Sequence, residues 1–179
     1  MLRSPKHFAV CQKGATAVEF ALVAAPFMAL LVALLETALV FFAGRVLDEV
    51  TEEASRYILT GQAQNANVTQ AGFSNYICTG SNTAALVSAL FTCSKLLVNV
   101  QTYSSFGSSS CSSPTLTYNS QGAVTNSWSY NPGGPSDIVV VQVMYQWPIV
   151  LGPLGFNLSN LSNGDRLLTS CAVFKNEPY

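Results

Sequence analysis

The N-terminal third of the chain carries one long apolar segment that a single charge interrupts. Residues 20–35 contain no charged side chain, and after Glu36 the apolar character continues to Gly44, which gives 25 positions in all. A helix that rises 1.5 Å per residue needs about 20 residues to cross roughly 30 Å of bilayer hydrocarbon. The pattern therefore predicts a membrane-spanning helix. The alternative is a buried helix of a soluble protein, whose apolar run is usually shorter, at about 10 to 14 residues.

The segment that follows the span is amphipathic. Its apolar residues recur at helical spacings, which predicts that the same helix continues to about residue 60 and ends at Gly61. On the polar face we expect two i,i+4 ion pairs, Arg45 with Glu49 and Glu52 with Arg56, each worth about 0.2 to 0.5 kcal/mol. The apolar stripe consists of Val46, Leu47, Val50, Ala54, Tyr57 and Ile58. Because the pairs contribute so little, packing of the stripe is expected to hold the helix.

Beyond residue 61 the pattern predicts short helices followed by strands. Two helices are expected, over residues 67–77 and 82–93, the second with one apolar face. That face would carry Ala85, Leu86, Ala89, Leu90 and Cys93. Three strands are expected over residues 96–103, 137–145 and 167–175, where branched and aromatic residues are frequent. Residues 104–135, rich in Ser, Gly, Asn and Pro, read as a long loop.

This order of elements predicts an α+β fold with a small antiparallel sheet. The chain would divide into a leader (residues 1–14), a transmembrane and amphipathic N-terminal helix (15–61) and an exported α+β domain (62–179).

The charges give an orientation for the span. Charged residues make up only 9% of the chain, and the net charge is -1, so no basic surface for nucleic acid is expected. Before the span the charges are basic, whereas acids dominate directly after it. Cytoplasmic flanks of membrane helices carry the basic excess. We therefore expect the N-terminus in the cytoplasm and the residues beyond about 45 outside the cytoplasmic membrane.

The cysteines agree with export. Cys11 lies in the leader, while Cys78, Cys93, Cys111 and Cys171 lie in the exported part, where an oxidising compartment favours two disulfides. Four cysteines allow three pairings, and the sequence alone does not choose among them. Loop closure favours Cys78 with Cys93 and Cys111 with Cys171.

Residues suited to catalysis are few. The single histidine, His7, belongs to the leader, so the exported domain has no Ser-His-Asp or Cys-His pair and no histidine for a metal site. The exported acids beyond the helix are Asp137, Asp165 and Glu177, and their positions give no reason to expect a catalytic pair. No enzyme, cofactor or metal is therefore expected. The aromatic residues Tyr145, Trp147 and Phe156 could form a sugar-binding platform, although core packing is their commoner role.

The leader differs from an ordinary secretory signal, because its small residue, Gly14, precedes the apolar run instead of following it. A cut after Gly14 would leave the apolar helix on the mature protein and create a new N-terminus at Ala15, with Glu19 at the fifth position. This arrangement resembles the class III signal of type IV pilins and their relatives.

The resemblance extends along the helix. The stretch GATAVEFALVAAPFMALLVALLETALVFFAGRVLDEVTEEASRYILTGQAQ resembles the TadE family, the pseudopilins of tight-adherence (Flp, type IVb) pili. The closing CAVFKNEPY is similar to the end of those proteins, and VVVQVMYQWPIVLGPLG resembles them weakly. TadG relatives carry an additional von Willebrand A-type domain, for which this chain is too short and lacks a DxSxS motif. TadE or the similar TadF is therefore favoured.

The resemblance implies roles for both acids of the helix. A prepilin peptidase would cut between Gly14 and Ala15, and the α-amine of a neighbouring subunit would neutralise Glu19, which otherwise is costly to bury in hydrocarbon. The alternative for Glu19 is a solvated carboxylate at the cytoplasmic interface. Glu36 lies about 25 Å further along the helix. It is either an interfacial carboxylate or a docking contact with another pseudopilin or the platform protein.

The function expected from these features is that of a TadE-like minor pilin. It would be anchored in the inner membrane, would pack with other pilins and TadF-like pseudopilins and with the assembly platform, and could itself enter the pilus. The alternative is an uncleaved, signal-anchored periplasmic module that binds a ligand through residues 104–135. A third possibility, a membrane-tethered hydrolase, is disfavoured by the missing histidines.

Overall fold

The computed structural model describes residues 14–122, 124–150 and 155–179. Its dominant element is one helix, α1, that spans Ala15–Leu59 without a break and includes Pro26. At 1.5 Å per residue these 45 residues extend over about 68 Å. The predicted continuity of the apolar span with the amphipathic segment is confirmed.

The helix ends where the sequence predicts. Thr60 is the C-terminal cap, and Gly61 follows in the left-handed conformation with φ of 75°. The Gly61 N–H donates to the Ile58 carbonyl at 2.9 Å, which satisfies one of the last free carbonyls of the helix. The Tyr179 ring packs directly on Gly61, and a Cβ at this position would lie 2.5 Å from it. Gly61 is thus required both by its φ and by the close approach of the C-terminal tail.

Three short helices follow, α2 (Gln62–Asn65), α3 (Gln70–Asn75) and α4 (Ala84–Leu90). The predicted start of a helix at residue 67 is wrong, because Asn67 has φ of 49° and Thr69 caps α3 by accepting a hydrogen bond from the Gly72 N–H at 3.2 Å. After α3 the chain makes one π-helical turn, Tyr76–Gly80.

The predicted apolar face of α4 is only partly confirmed, because Leu90 packs against the core but Leu86 is 45% exposed and Ala89 faces outward. The helix buries Val87, and its two caps, Thr83 and Phe91, are buried as well. Cys93 lies beyond the helix, in the short 3₁₀ turn Cys93–Lys95. With only two turns, α4 takes its orientation from the elements it docks on, α1 and the π-helical turn, and its own apolar pattern does not decide it.

The three predicted strands are present as β1 (Leu97–Tyr103), β2 (Ile138–Trp147) and β3 (Arg166–Lys175). They form one antiparallel sheet in the order β1-β2-β3. In the central strand, Val141 lies opposite Val100 on one side and Ala172 on the other. Between β1 and β2 the chain is largely irregular, with one 3₁₀ turn at Phe106–Ser108. The α+β fold predicted from the sequence is confirmed.

The hydrophobic core lies between the sheet and the C-terminal half of α1. The helix packs against β2 and β3, and its stripe residues Val46, Val50, Ala54 and Ile58 are all buried. The predicted apolar stripe is therefore the helix's contribution to the core. It meets the buried valines of β1 and β2, namely Val98, Val100, Val139, Val141 and Val143.

Gly61, which follows the end of α1, and Gly44, which lies inside it, allow a matched test of this account. Gly61→Ala should destabilise the protein by about 1–3 kcal/mol, because alanine is strained at a positive φ and its methyl group meets the Tyr179 ring. Gly44→Ala lies inside α1 with open space around it and should stabilise by up to about 1 kcal/mol through helix propensity.

Urea unfolding of the full chain in detergent, followed by tryptophan fluorescence, measures both changes. Equal effects of the two substitutions would show that neither the backbone conformation of Gly61 nor its contact with Tyr179 limits stability.

Candidate functional site

The most unusual surface of the molecule is the N-terminal half of α1. Among the described residues, α1 is the helix that is long and apolar enough to cross a membrane, and the residues of its most apolar stretch are all unburied. The exposed large apolar side chains are Val18, Phe20, Leu22, Val23, Phe27, Met28, Leu30, Leu34, Leu35, Leu39, Phe41 and Phe42. A soluble monomer rarely exposes so large a contiguous apolar surface. The helix is therefore a candidate membrane anchor.

The exposed half passes directly into the core. Val40 and Ala43 are the first buried residues of α1, while Phe41 and Phe42 on the opposite side remain exposed. Arg45, whose side chain is 85% exposed, is the first charge beyond the apolar region. We call the part of α1 from Val40 onward, together with the described residues that follow it, the head. The boundary between the candidate anchor and the head thus falls inside one continuous helix.

Gly14 is the N-cap of α1, and Ala15 is the first helical residue. Gly14 is exposed, and among the described residues no side chain or distant backbone atom lies within 4 Å of the place where its Cβ would be. The leader residues 1–13, including His7 and Cys11, lie outside the described residues. Processing at Gly14 stays a prediction.

Glu19 lies one turn into α1 and is exposed, among apolar neighbours such as Val18 and Phe20. Its predicted partner is the α-amine of another subunit, so a single chain does not test this role. What the helix does show is that the carboxylate is carried on a rigid element and projects from its surface.

Glu36 has a contact within the chain that the sequence did not reveal. Its Oε1 accepts a hydrogen bond from the backbone N–H of Val150 at 3.0 Å. Val150 lies just after β2, so this bond joins the anchor helix to the end of the central strand across 114 positions of sequence. The predicted docking of Glu36 on another subunit is not tested, but one of its oxygens already binds the head.

An apolar groove of about 390 Å³ lies beside this bond. One wall is formed by α1 and the other by the residues that leave β2. The lining residues are Val32, Leu35, Glu36, Leu39, Trp147, Pro148 and Val150. The residues that follow β2 therefore lie along the apolar part of α1, on the N-terminal side of the residues that α1 contributes to the core.

The Glu53 carboxylate accepts hydrogen bonds within the head and does not form an ion pair with any other described residue. Its Oε1 accepts hydrogen bonds from the backbone N–H and the side-chain amide of Asn82, both at 2.7 Å, and its Oε2 accepts from the Thr83 hydroxyl at 3.4 Å. The carboxylate therefore holds the start of α4 on α1. Burial raises the pKa of the nearby Tyr76, and the negative charge of Glu53 raises it further.

The ion pair predicted between Arg45 and Glu49 is wrong. The Arg45 guanidinium contacts Asp48, at i+3, with 3.7 Å between Nη1 and Oδ2, and both side chains are mostly exposed. No contact between Glu52 and Arg56 occurs within ion-pair distance among the described residues. Exposed pairs of this kind contribute little, so side-chain entropy and solvent decide which geometry is adopted.

The structure contains the two disulfides that loop closure favoured. Cys78 and Cys93 join the π-helical turn to the 3₁₀ turn before β1, with 6.1 Å between their Cα atoms. Cys111 and Cys171 join the long loop to the middle of β3, with 5.8 Å between their Cα atoms. Next to the second disulfide, the buried Gln142 donates to the Ser112 carbonyl at 3.1 Å. The long loop is thus held on the sheet at two neighbouring points.

The side chains of two of the three acids beyond α1 serve local structure, and the third acid contributes its backbone. Asp137 accepts from the Gly134 N–H at 2.8 Å in the turn before β2, and Asp165 accepts from the Asn163 side-chain amide at 2.8 Å in the turn before β3. The backbone N–H of Glu177 donates to the Leu59 carbonyl at 3.0 Å. The described residues contain no group of three His, Cys, Asp or Glu side chains that could hold a metal ion.

Two of the three aromatic residues considered as a sugar platform, Tyr145 and Trp147, are packed with Phe91 instead. Tyr145 and Trp147 both meet Phe91 edge to face, with ring centroids 4.9 and 6.0 Å apart. The Tyr145 hydroxyl accepts a hydrogen bond from the Thr92 N–H at 3.3 Å. Phe156 is 41% exposed and lies apart from this cluster of rings, near Val150. Core packing is therefore the role of Tyr145, as the sequence favoured.

The bonds of Glu53 allow a direct test of how the head is attached to α1. Glu53→Ala should destabilise the protein by about 1–3 kcal/mol, because it removes the two hydrogen bonds that Asn82, just before α4, donates to a charged oxygen. Glu52→Ala, one position earlier on the exposed face, should change stability by less than about 0.5 kcal/mol.

Urea unfolding midpoints of the two variants measure the difference. A Glu53→Ala protein as stable as the Glu52→Ala protein would mean that the carboxylate does not hold α4.

Comparison with known families gives one finding, which concerns the N-terminal region. Residues 14–56 match the family model described as TadE-like protein. The matched range begins at Gly14 and ends within the part of α1 that enters the core. The family resemblance predicted from the sequence is confirmed for this region. Comparison with curated proteins and with solved structures gave no match.

Proposed function

Because residues 14–56 are TadE-like, which relates the chain to Tad pilus proteins, we propose that the protein is a minor pilin that acts in assembly of a tight-adherence pilus. The observation that carries this proposal is the division of α1. Its first half exposes an extensive apolar surface, and its second half contributes to the core of a disulfide-linked head. A helix built in this way can be held in a bilayer or among other apolar helices while its head stays in water.

The proposed anchoring places Gly14 at the cytoplasmic face of the inner membrane and the head in the periplasm. The exposed position of Gly14 at the start of α1 supports cleavage there by a prepilin peptidase. The two disulfides of the head support an oxidising compartment. In this proposal the leader is removed after insertion, and the mature chain begins at Ala15.

The proposed subunit contact is made by the exposed face of α1. A family of pilus-assembly proteins implies interaction with other pilus components. In hydrocarbon, an ionised carboxylate such as Glu19 is costly unless it is paired. The α-amine that cleavage would create at Ala15 of a neighbouring subunit, or of another pilin or TadF-like pseudopilin, would supply the charge. The proposal includes the assembly platform as a further partner and assigns no catalytic activity.

A second candidate function draws support from one surface of the head. A groove of about 370 Å³ lies between the loop residues Ser113–Tyr118 and the segment from Asn160 to Leu167. It is lined by hydroxyl, amide and apolar groups, and its volume falls in the usual range for ligand sites. An uncleaved, signal-anchored binding module would use this groove. The two functions differ in whether the leader is removed.

Intact-mass measurement of the native protein tests the processing step. In cells with an active prepilin peptidase, the mass should correspond to a chain that begins at Ala15, and in cells without the peptidase it should include residues 1–14. Gly14→Leu should retain the leader, because a bulky residue replaces the small one at the cut. A full-length chain in cells with active peptidase would overturn the pseudopilin proposal and favour the binding module.

The role proposed for Glu19 is tested by co-purification with other pilins after mild membrane solubilisation. Glu19→Gln keeps the size of the side chain and removes its charge, so recovery of partner subunits should fall several-fold. Glu52→Gln removes a charge from the exposed face of the head and should leave recovery unchanged. Equal recovery with both variants would show that the Glu19 charge makes no subunit contact.

A further inference from the structure

The hydrogen bond between Glu36 and Val150 determines how far the residues after β2 extend along the apolar part of α1. Val18 is the first exposed large apolar residue of α1, and Glu36 lies 18 residues further on, which is about 27 Å along the helix axis. Bilayer hydrocarbon is about 30 Å thick. Counted from the other end, Glu36 lies about 9 Å before Phe42, the last exposed large apolar residue. By both counts Glu36 falls within the apolar zone.

The residues that leave β2 must therefore lie at the same depth. The backbone of Val150 is 3.0 Å from the Glu36 carboxylate, and its side chain is 78% exposed. Trp147 and Pro148 line the groove with Leu35 and Leu39, which are themselves exposed. These side chains are apolar, so their exposure to water is unfavourable. Tryptophan is also enriched where a protein crosses from the hydrocarbon to the head-group region.

We propose that Trp147–Val150 enter the leaflet nearest the head, so that the protein contacts lipid through this segment as well as through α1. This inference rests on the membrane-spanning role of α1 in the proposed function. The occupant of the groove beside Glu36 is lipid acyl chain, because the groove continues the apolar surface of the span.

The Glu36 carboxylate has a defined task in this arrangement. Irregular backbone at membrane depth has no water to satisfy its N–H groups, and each unsatisfied group costs several kcal/mol. Glu36 accepts the N–H of Val150 at that point, and the bond offsets part of the cost of the carboxylate itself. With the head held at both α1 and Trp147–Val150, its tilt relative to the membrane is fixed.

Fluorescence quenching by lipids with brominated acyl chains tests the proposal on the full chain in bilayers. The two natural tryptophans, Trp128 and Trp147, are first replaced by Phe, and single tryptophans are then introduced by Val150→Trp, Phe106→Trp or Phe27→Trp. Val150 and Phe106 are both exposed. Val150 follows the end of β2, whereas Phe106 follows the end of β1, which pairs with the start of β2. The two ends of β2 are about 30 Å apart along the strand. Phe27 lies in the proposed span.

We expect the emission from positions 150 and 27 to fall roughly two-fold or more in brominated lipid, because both rings lie among acyl chains. Emission from position 106 should not change. Quenching at position 27 without quenching at position 150 would overturn the proposal while leaving the membrane anchor intact. No quenching at position 27 would overturn the anchor and this inference together.

A second pair of probes avoids the double replacement if that chain does not fold. Trp128→Phe leaves Trp147 as the natural probe, and Trp147→Phe leaves Trp128, which lies beside β1 near Val100. Quenching of Trp147 but not of Trp128 supports the proposal, and equal behaviour of the two contradicts it. Glu36→Leu in the Trp128→Phe chain should reduce the quenching of Trp147, whereas Glu36→Gln, which keeps an acceptor oxygen, should preserve it.

Discussion

The rest of the structure depends on one constraint, which is that α1 remains a single helix while its two halves face different surroundings. Its first half exposes apolar side chains up to Phe42, and its second half buries the stripe from Val46 to Ile58 against the sheet. Because the helix has no break between the halves, the direction of the anchor is fixed relative to the sheet. A force or a displacement applied to the anchor is therefore transmitted to the head without an intervening linker.

The head closes on the end of this helix. The C-terminal tail returns from β3 to α1, where the Glu177 N–H binds the last-turn carbonyl of Leu59 and the Tyr179 ring covers Gly61. Asn176, which is buried, donates to the carbonyls of Pro132 and Gly134 at 2.9 and 3.0 Å and so joins the tail to the end of the long loop. The last residues of the chain thus satisfy groups that both the helix end and the loop leave free. The head is completed only when its final strand and tail are in place.

Features with a strong local signal could be predicted from the sequence. The unbroken α1, its end at Gly61, the three strands and the α+β fold follow from apolar spacing and from residue types that favour one conformation. The two cysteine pairs are those that loop closure favoured among three possible pairings. These properties depend on neighbours within a few residues or on chain connectivity, both of which the sequence displays.

Features set by tertiary contacts could not be predicted in the same way. The buried face of α4 is chosen by docking on α1, because a helix of seven residues has too few positions to define a stripe. Glu53 binds Asn82 and Thr83, which lie 29 and 30 positions away in the sequence, and such hydrogen bonds to a charged oxygen are stronger than an exposed ion pair. In each case the partner is distant in sequence or is a backbone group that carries no sequence signal.

Glu36 shows most clearly why such partners stay hidden. In the sequence it is a charge that interrupts an apolar span, and a side-chain partner is the natural expectation. Its observed partner is the main-chain N–H of Val150, 114 residues away, which any residue except proline could supply. That bond accounts for two features together, the charge of Glu36 within the apolar span and the position of the apolar residues that follow β2. The carboxylate accepts a donor that water does not reach in the proposed bilayer, and the strand exit brings that donor to the charge. An acid inside an apolar helix therefore does not by itself indicate a contact with another subunit, because the same chain can return to satisfy it.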